Sequence, residues 1–406
     1  MTDPTQELAT FRDELRAWLA GSVPKSLYGR PYPMPSAGTG EAEPKELAAD
    51  RARYLELMLG RGLTAPTWPK AYGGAGLSQP EARVLQDELE RARLAPPLLG
   101  MGLSMIGPTL LVHGTDAQKQ AYLPKIVSGE YRFCQGFSEP GAGSDLAALR
   151  TSATLDASGE RYIINGSKIW TSGAQFANWM FMLVRTDASS KHNGITFLLL
   201  DMTTPGIEVR PIRLISGHSM FCEVFFSDVL ADVRNVIGQV NRGWTVAKTL
   251  LDFERSGMGT GSLGGSGVRR GVPTGGKLIA LAKELVGEQA GKLGDAHVRD
   301  QLASLAIDEL AFSLTLERAA QARKASGAPG AEMSMFKLYQ SELGQRRDEL
   351  LLLLRGHEAL SWESGEESED VAFTRAWLAA KATTIYGGSS EIQRNIIAKR
   401  VLRLPQ

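Results

Sequence analysis

Apolar residues near the start of the chain recur every three or four positions: Leu8, Phe11, Leu15, Trp18 and Leu19 fall on one face of a helix. Pro- and Gly-rich stretches at 31–44 and 65–77 divide this helical pattern, because proline cannot donate to a helix and glycine favours turns. Residues 1–130 are therefore predicted to form a helical domain. From about Tyr131 the pattern changes to short runs rich in Ile, Val, Phe and Thr, namely RYIING, WMFMLVRT, ITFLLLDM, IEVRPI and FCEVFFSDV, separated by turn residues such as Asp156 to Gly159. No helical stretch lies between them, so residues 131–238 are predicted to form an antiparallel β-barrel or sandwich rather than a doubly wound nucleotide fold. Over residues 239–406 the helical period returns in WTVAKTLLDFERS, AHVRDQLASLAIDELAFSLTLERAAQARK, FKLYQSELGQRRDELLLLLRG and FTRAWLAAKATTIYGG. Each run is long enough for several turns, which predicts an antiparallel helical bundle. The whole reads as an α+β multidomain protein.

Composition narrows the partners. Lys plus Arg and Asp plus Glu both number 45 in the 406 residues, so no basic field draws the chain toward nucleic acid or acidic lipid. Cys134 and Cys222 each sit inside an apolar run, a pattern that suggests neither a disulfide framework nor a zinc site and fits a reducing compartment. The start, MTDPTQELATFRDELRAWLA, lacks the basic beginning and apolar run of a signal peptide. The longest apolar run, LLLLL at 350–354, is far too short to span a bilayer. A cytoplasmic protein with small-molecule partners, and with neither nucleic acid nor membrane insertion, is expected.

Two glycine motifs invite a nucleotide reading and fail it. GTGSLG at 259–264 matches GxGxxG, but it follows a predicted helix where a strand is required. GVPTGGK at 271–277 resembles a phosphate loop, but Leu278 stands where a metal-binding Ser or Thr is needed.

Three other stretches carry more. In CQGFSEPGAGSDLAAL (134–149), Gly141 and Gly143 let backbone amides approach a ligand, with the hydroxyls of Ser138 and Ser144 beside them. A Pro-Gly surface turn followed by a Ser N-cap accounts for the same residues. In GSKIWTSGAQFANW, Trp170 and Ser172 end a strand, where an indole stacks on a flat ring or simply joins the core. TIYGGSSEIQRN (384–395) offers glycines, serines, an acid, an amide and a cation, as a cradle, a catalytic centre or a capped helix start.

Taken together and in this order, these stretches resemble the acyl-CoA dehydrogenases, flavoenzymes with a helical domain, a small β domain and a C-terminal helical bundle. The resemblance runs over nearly the whole chain. It implies FAD as cofactor, an acyl-CoA substrate, an electron-transfer flavoprotein as acceptor, and a tetramer of one chain or of two related chains. It implies that the stretch from Gln135 to Ser144, Phe137 and Gly143 included, holds the flavin ring and ribityl side, with Ser138 near the ring and Ser144 shared with substrate. Trp170 is expected against the isoalloxazine, with Thr171 beside it and Ser172 bonded to its reactive edge. Ser389, Ser390 and Glu391 are expected near the pyrophosphate and adenosine side, with Arg394 as a structural ion-pair partner.

The family's reaction removes an α-proton and passes a β-hydrogen to the flavin as hydride, leaving a trans double bond beside the thioester. It needs a carboxylate base whose pKa is raised in a dry pocket. In many members that base is a Glu directly after the tyrosine matched by Tyr386, but here Gly387 stands there. A minority carries the base on the first long bundle helix just before an arginine, and TLLDFERSG places Glu254 before Arg255. Glu254 is thus the expected base, with Asp252, Arg255 and Tyr386 on the substrate side. Gly387 retains a backbone N–H for the thioester carbonyl, and its missing side chain leaves room for a branched, cyclic or bulky acyl group. Two family segments, Arg-x-x-Phe-Gly and Gln-x-x-Gly-Gly, are missing; LLLLRG (351–356) stands in the second place. The adenine end is then held by other residues or by a partner chain in a mixed tetramer. Rival readings are a flavin monooxygenase or oxidase on the same fold, a non-catalytic subunit of a mixed complex, and a nucleotide hydrolase using the glycine motifs.

Overall fold

The computed structural model describes residues 4–30, 44–259, 275–326, 333–362 and 369–405. They pack as two compact units, one comprising the chain up to Ile212 together with Ser219–Phe253, the other Arg213–His218 together with the chain from Glu254 onward.

The first unit opens with helices α1 (Pro4–Ser22), α2 (Lys45–Leu59), α3 (Gln79–Arg91), α4 (Gly107–His113) and α5 (Asp116–Val127). The apolar stripe of α1 closes onto α2 and α3: Leu15 and Leu19 are buried in one cluster with Tyr54, Met58, Leu85 and Leu89. Reciprocal capping boxes start α3 (Ser78 with Glu81) and α5 (Thr115 with Gln118), each satisfying backbone donors that the first helical turn leaves free.

A charged cluster also ties α1 to α3. Glu88, 1% exposed, accepts hydrogen bonds from Arg16 Nε and Nη2 (both 2.9 Å), Arg91 Nε (2.8 Å) and Arg12 Nη1 (3.3 Å).

Seven strands follow: β1 (Phe133–Gly136), β2 (Ser152–Leu155), β3 (Arg161–Ser172), β4 (Trp179–Arg185), β5 (Ile195–Asp201), β6 (Ile207–Ile212) and β7 (Phe221–Asp232). They form one curled sheet in the order β1-β4-β2-β3-β7-β6, with β5 also on β4. The pairings are antiparallel as expected, except that β1 runs parallel to β4, and β2 meets β4 in parallel at one residue pair. A parallel pair needs a crossover, and here the β2–β3 hairpin supplies it, so the lack of helices between strands did not exclude one. Residues Met180–Val184 of β4 and Ile195–Leu199 of β5 are fully buried, which is why these strands read as unbroken apolar runs. Cys134 of β1 and Cys222 of β7 are free thiols sealed in the same core cluster.

Helix α6 (Gly243–Gly259) carries the chain from the first unit into the second. The second unit continues with α7 (Gly275–Val286), α8 (Ala296–Ser326), α9 (Met333–Arg355), α10 (Glu369–Ala380) and α11 (Ser390–Ile396). Its core joins Leu278 and Ala282 of α7, Leu302, Leu305 and Phe312 of α8, and Phe336, Leu343 and Leu350 of α9. A two-residue hairpin that helical patterning does not predict, β8 (Glu288–Gln289) with β9 (Lys292–Leu293), turns through Ala290 and Gly291, both at positive φ. Of the two glycine motifs, only Gly259 at the end of α6 and Gly275–Lys277 at the start of α7 are within the described residues. No helix among the described residues is long and apolar enough to cross a membrane.

The Glu88 cluster sets an acid limit on the first unit. Hydrogen bonds from Arg16 lower the Glu88 pKa most, those from Arg91 add to the effect, and together they outweigh burial and bring it from 4.5 to about 2. A carboxyl depressed in the folded state stabilises it fully above the unfolded pKa, and that contribution is lost as pH falls through the folded one. Glu88→Gln is expected to cost about 1–3 kcal/mol at neutral pH and to flatten the loss of stability between pH about 4.5 and about 2, as read by urea denaturation across that range.

Candidate cofactor and substrate site

In the first unit, two of the motifs meet through the backbone. The Ile169 N–H of β3 donates to the Ser138 carbonyl (2.9 Å), joining the loop after β1 to the strand that carries Trp170. Between Lys168 and Thr171 the register with β7 slips by one residue, a β-bulge. Trp170 at this bulge has φ of +59°, a left-handed conformation that costs a bulky residue about 1–3 kcal/mol. The bulge turns the indole outward, 53% exposed and edge-on to Phe221 at 6.1 Å, while Thr171 is turned fully inward. Thr171 Oγ1 is buried with no hydrogen-bond partner among the described residues. Ser172 closes β3, and the following Gly173 donates its N–H to the Met220 carbonyl.

The facing loop is anchored from below. Gln135 lies on β1, and Phe137 is buried edge-on to Phe181 and Phe197. Glu139 and Ala142 exchange backbone hydrogen bonds across Pro140 and Gly141. Gly143 and Ser144 follow, exposed, and among the described residues, chain neighbours aside, no atom lies within 4 Å of where a side chain would begin at Gly141 or Gly143. Beneath this turn, Lys168, wholly buried, donates from Nζ to Glu139 Oε1 (2.8 Å) and to the Phe137 carbonyl (3.2 Å). The Glu139 carboxylate also accepts from the N–H groups of Arg150 (2.6 Å) and Thr151 (2.8 Å). Arg185 pins the next segment by donating to the carbonyls of Ala147 and Leu149. Burial lowers the Lys168 pKa to about 8 against the pull of Glu139. For Glu139 burial is the largest influence and pushes its pKa up, but the charge and hydrogen bonds of Lys168, Thr151 and Arg150 bring it down overall.

In the second unit the TIYGGSSEIQRN stretch is a braced turn. Gly387 and Gly388 sit at φ of +65° and +89°, two successive left-handed positions that suit glycine. A Cβ at Gly388 would lie 2.5 Å from Gln393 Nε2. That amide donates to the Gly387 carbonyl (3.0 Å), and Lys337 Nζ of α9 donates to the Gly388 carbonyl (2.7 Å). Four and eight residues further along α9, Ser341 Oγ reaches the Thr383 carbonyl and Gln345 Nε2 the Ala380 carbonyl. Lys337, Ser341 and Gln345 thus form one polar stripe that holds residues 380–388. Ser389 caps α11 through the Ile392 N–H. Ser390 Oγ and Gln393 Oε1 are buried with no hydrogen-bond partner among the described residues. Glu391 is exposed, its pKa lowered by its own backbone N–H and by the Ser389 hydroxyl. Arg394 pairs with Glu342 of α9 at 2.7 Å. Tyr386 is half exposed.

The remaining candidates lie on α6. Asp252 is exposed; Glu254 is half-buried with Oε2 shielded from solvent; the Arg255 side chain lies outside the described residues. The structure thus joins Gln135–Ser144 to Trp170–Ser172 in one unit, and Tyr386–Glu391 to α9 in the other. Sequence reading missed Lys168, Glu139 and Lys337, and offered Gln393 only as an amide without a stated partner. Alternation along β3 held the clue to the first: Tyr162, Ile164 and Lys168 share the inward parity, and an inward lysine requires a buried acid. In the first unit the open space over Gly141 and Gly143 and the buried Thr171 Oγ1, and in the second unit by themselves the buried Ser390 Oγ and Gln393 Oε1, each offer hydrogen-bonding capacity that a ligand could use.

The models of the acyl-CoA dehydrogenase N-terminal, middle and C-terminal domains match residues 34–130, 134–229 and 241–402. The chain is 35% identical over 407 residues to acyl-CoA dehydrogenase IpdE1 of Mycobacterium tuberculosis, covering 99% of each. Among solved structures it is similar to the "Tcur3481-Tcur3483 steroid ACAD" (30% identity, TM-score 0.72, 100% of this chain and 99% of that one). It is also similar to a chain of the ChsE4-ChsE5 complex from Mycobacterium tuberculosis (28% identity, TM-score 0.71, 100% and 99%). With three domain matches in order and a relative aligned end to end, the chain belongs to the acyl-CoA dehydrogenase family, FAD-dependent oxidoreductases that act on acyl-CoA.

Proposed function

We propose that this chain introduces an α,β double bond into a bulky acyl-CoA thioester, of the ring-bearing, steroid-like class, with Glu254 as base. The reading is carried by Glu254, a carboxylate on α6 with one oxygen shielded from solvent, in a chain that has Gly387 where many relatives place their glutamate. Glu254 removes the α-proton, and the Gly387 N–H donates to the thioester carbonyl oxygen, where negative charge grows as that proton leaves. FAD, when bound, supplies the acceptor for the β-hydrogen as hydride. Trp170, Thr171 and Ser172 with the Gln135–Ser144 loop are assigned to the flavin ring and ribityl side, Ser389, Ser390 and Glu391 to the diphosphate side, and Ser144, Asp252, Arg255 and Tyr386 to substrate. The bulky-substrate reading is supported by the absent side chain at Gly387 and by the similarity to a protein named a steroid ACAD.

A mixed assembly with a related chain is proposed on three grounds. Two FAD-contacting segments of the family are missing here, both similar structures carry paired names, and α8 leaves Ile307, Leu310 and Leu314 exposed along one face, a seam spaced for another helix. The electron acceptor proposed is an electron-transfer flavoprotein, and the compartment the cytoplasm.

Anaerobic titration of the purified flavoprotein with a panel of acyl-CoAs is expected to bleach the flavin fastest with ring-bearing or branched esters; fastest bleaching by a medium straight chain would overturn the substrate class. Glu254→Gln should keep its flavin yet bleach at least about 100-fold more slowly, and near-normal bleaching would remove Glu254 as the base. Trp170→Ala and Glu391→Gln should each act on cofactor retention instead, Trp170→Ala by about tenfold in the FAD dissociation constant, measured by fluorescence on rebinding.

A further inference from the structure

The buried Lys168–Glu139 pair has no place in the proton and hydride chemistry, yet it lies under both walls assigned to the flavin. Its carboxylate joins three segments: the turn at Glu139–Ala142, the entry to β2 through the N–H groups of Arg150 and Thr151, and Lys168 of β3. Lys168 is the last residue in register before the bulge, and the N–H of the next residue, Ile169, reaches back to the Ser138 carbonyl. Within three residues, then, β3 is tied to the loop by side chain and by backbone, and Trp170 follows directly in its left-handed conformation. Such a conformation at a bulky residue persists only where its surroundings fix it, and an ion pair 2.8 Å long with no solvent on the lysine is the most demanding of those surroundings in geometry.

We propose that Lys168 and Glu139 are positioning residues for the cofactor: the pair locks the bulge and the Phe137–Ser144 loop together, so that the Trp170 indole and the open amides at Gly141 and Gly143 are set for FAD before it binds. The pair touches neither substrate nor flavin in this account and acts through the backbone on either side of it. The inference rests on the assignment of Trp170 and the loop to the flavin, which Trp170→Ala tests separately.

The experiment compares flavin-free full-length protein carrying Lys168→Met, Glu139→Gln, Trp170→Ala or, as a control, Glu88→Gln, whose buried ion pairs in the same unit lie between α1 and α3. FAD affinity is measured by quenching of flavin fluorescence, and melting temperature on the same samples. Lys168→Met and Glu139→Gln are expected to weaken FAD binding tenfold or more, whereas Glu88→Gln lowers the melting temperature and leaves FAD affinity within twofold. Tryptophan emission should shift in Lys168→Met, and that shift should vanish in a Trp170→Phe background. If the pair variants melt earlier but bind FAD within twofold of the parent while Trp170→Ala releases it, the positioning role is overturned and the pair is structural only. If Trp170→Ala binds FAD normally, the flavin assignment itself falls. Should Lys168→Met not fold, Glu139→Gln, which keeps the shape and a carbonyl acceptor, decides the matter on the same readouts.

Discussion

A lysine with no solvent contact must find an anion, and in the first unit that requirement ties together a turn, the entry to β2 and the strand that carries the bulge. Lys168 enters the sheet interior because β3 alternates, and Glu139 meets it because the loop after β1 folds back over that position. Once the two are joined, the loop cannot slide, the entry to β2 is held by the same carboxylate, and the strand beyond Lys168 has to absorb its extra residue at Trp170. Apolar packing makes the sheet stable, but apolar contacts would tolerate small shifts of register. A charge pair of fixed length does not.

The second unit solves a similar problem with side-chain hydrogen bonds to backbone carbonyls. The turn at Gly387–Gly388 has carbonyls that no helix or strand can satisfy, and a lysine and a glutamine take them up. The polar stripe on α9 continues the same service along residues 380–388. Where the first unit uses a paired charge to fix a strand, the second uses side chains on a rigid helix to fix a loop, and in both the glycines are left to face outward or to turn.

Much of this was legible in the sequence. Helical spacing in residues 8–19, continuous apolar runs at β4 and β5, and long periodic segments at α8 and α9 identify the layers, because burial on one face or on two leaves a direct periodic trace. The motif order then pointed to the family, since three glycine- and serine-bearing turns at those separations rarely coincide. What stayed hidden is what alternation and period cannot encode. The parallel β1–β4 pair depends on how a hairpin crosses over, the β8–β9 turn on two residues at positive φ, and the grip of Lys337, Ser341 and Gln345 on a segment some forty residues away. A polar stripe on a helix looks the same in sequence whether it faces water or backbone carbonyls. Lys168 was the exception, a charge at an inward position whose partner could have been sought.

Sealing Cys134 and Cys222 inside the sheet has a consequence for an enzyme that handles electrons. Burial, the largest influence on both, raises the pKa of each thiol, so each stays protonated, and it is the thiolate that attacks peroxide. The sulfur atoms of these two cysteines therefore offer stray oxidants little to react with.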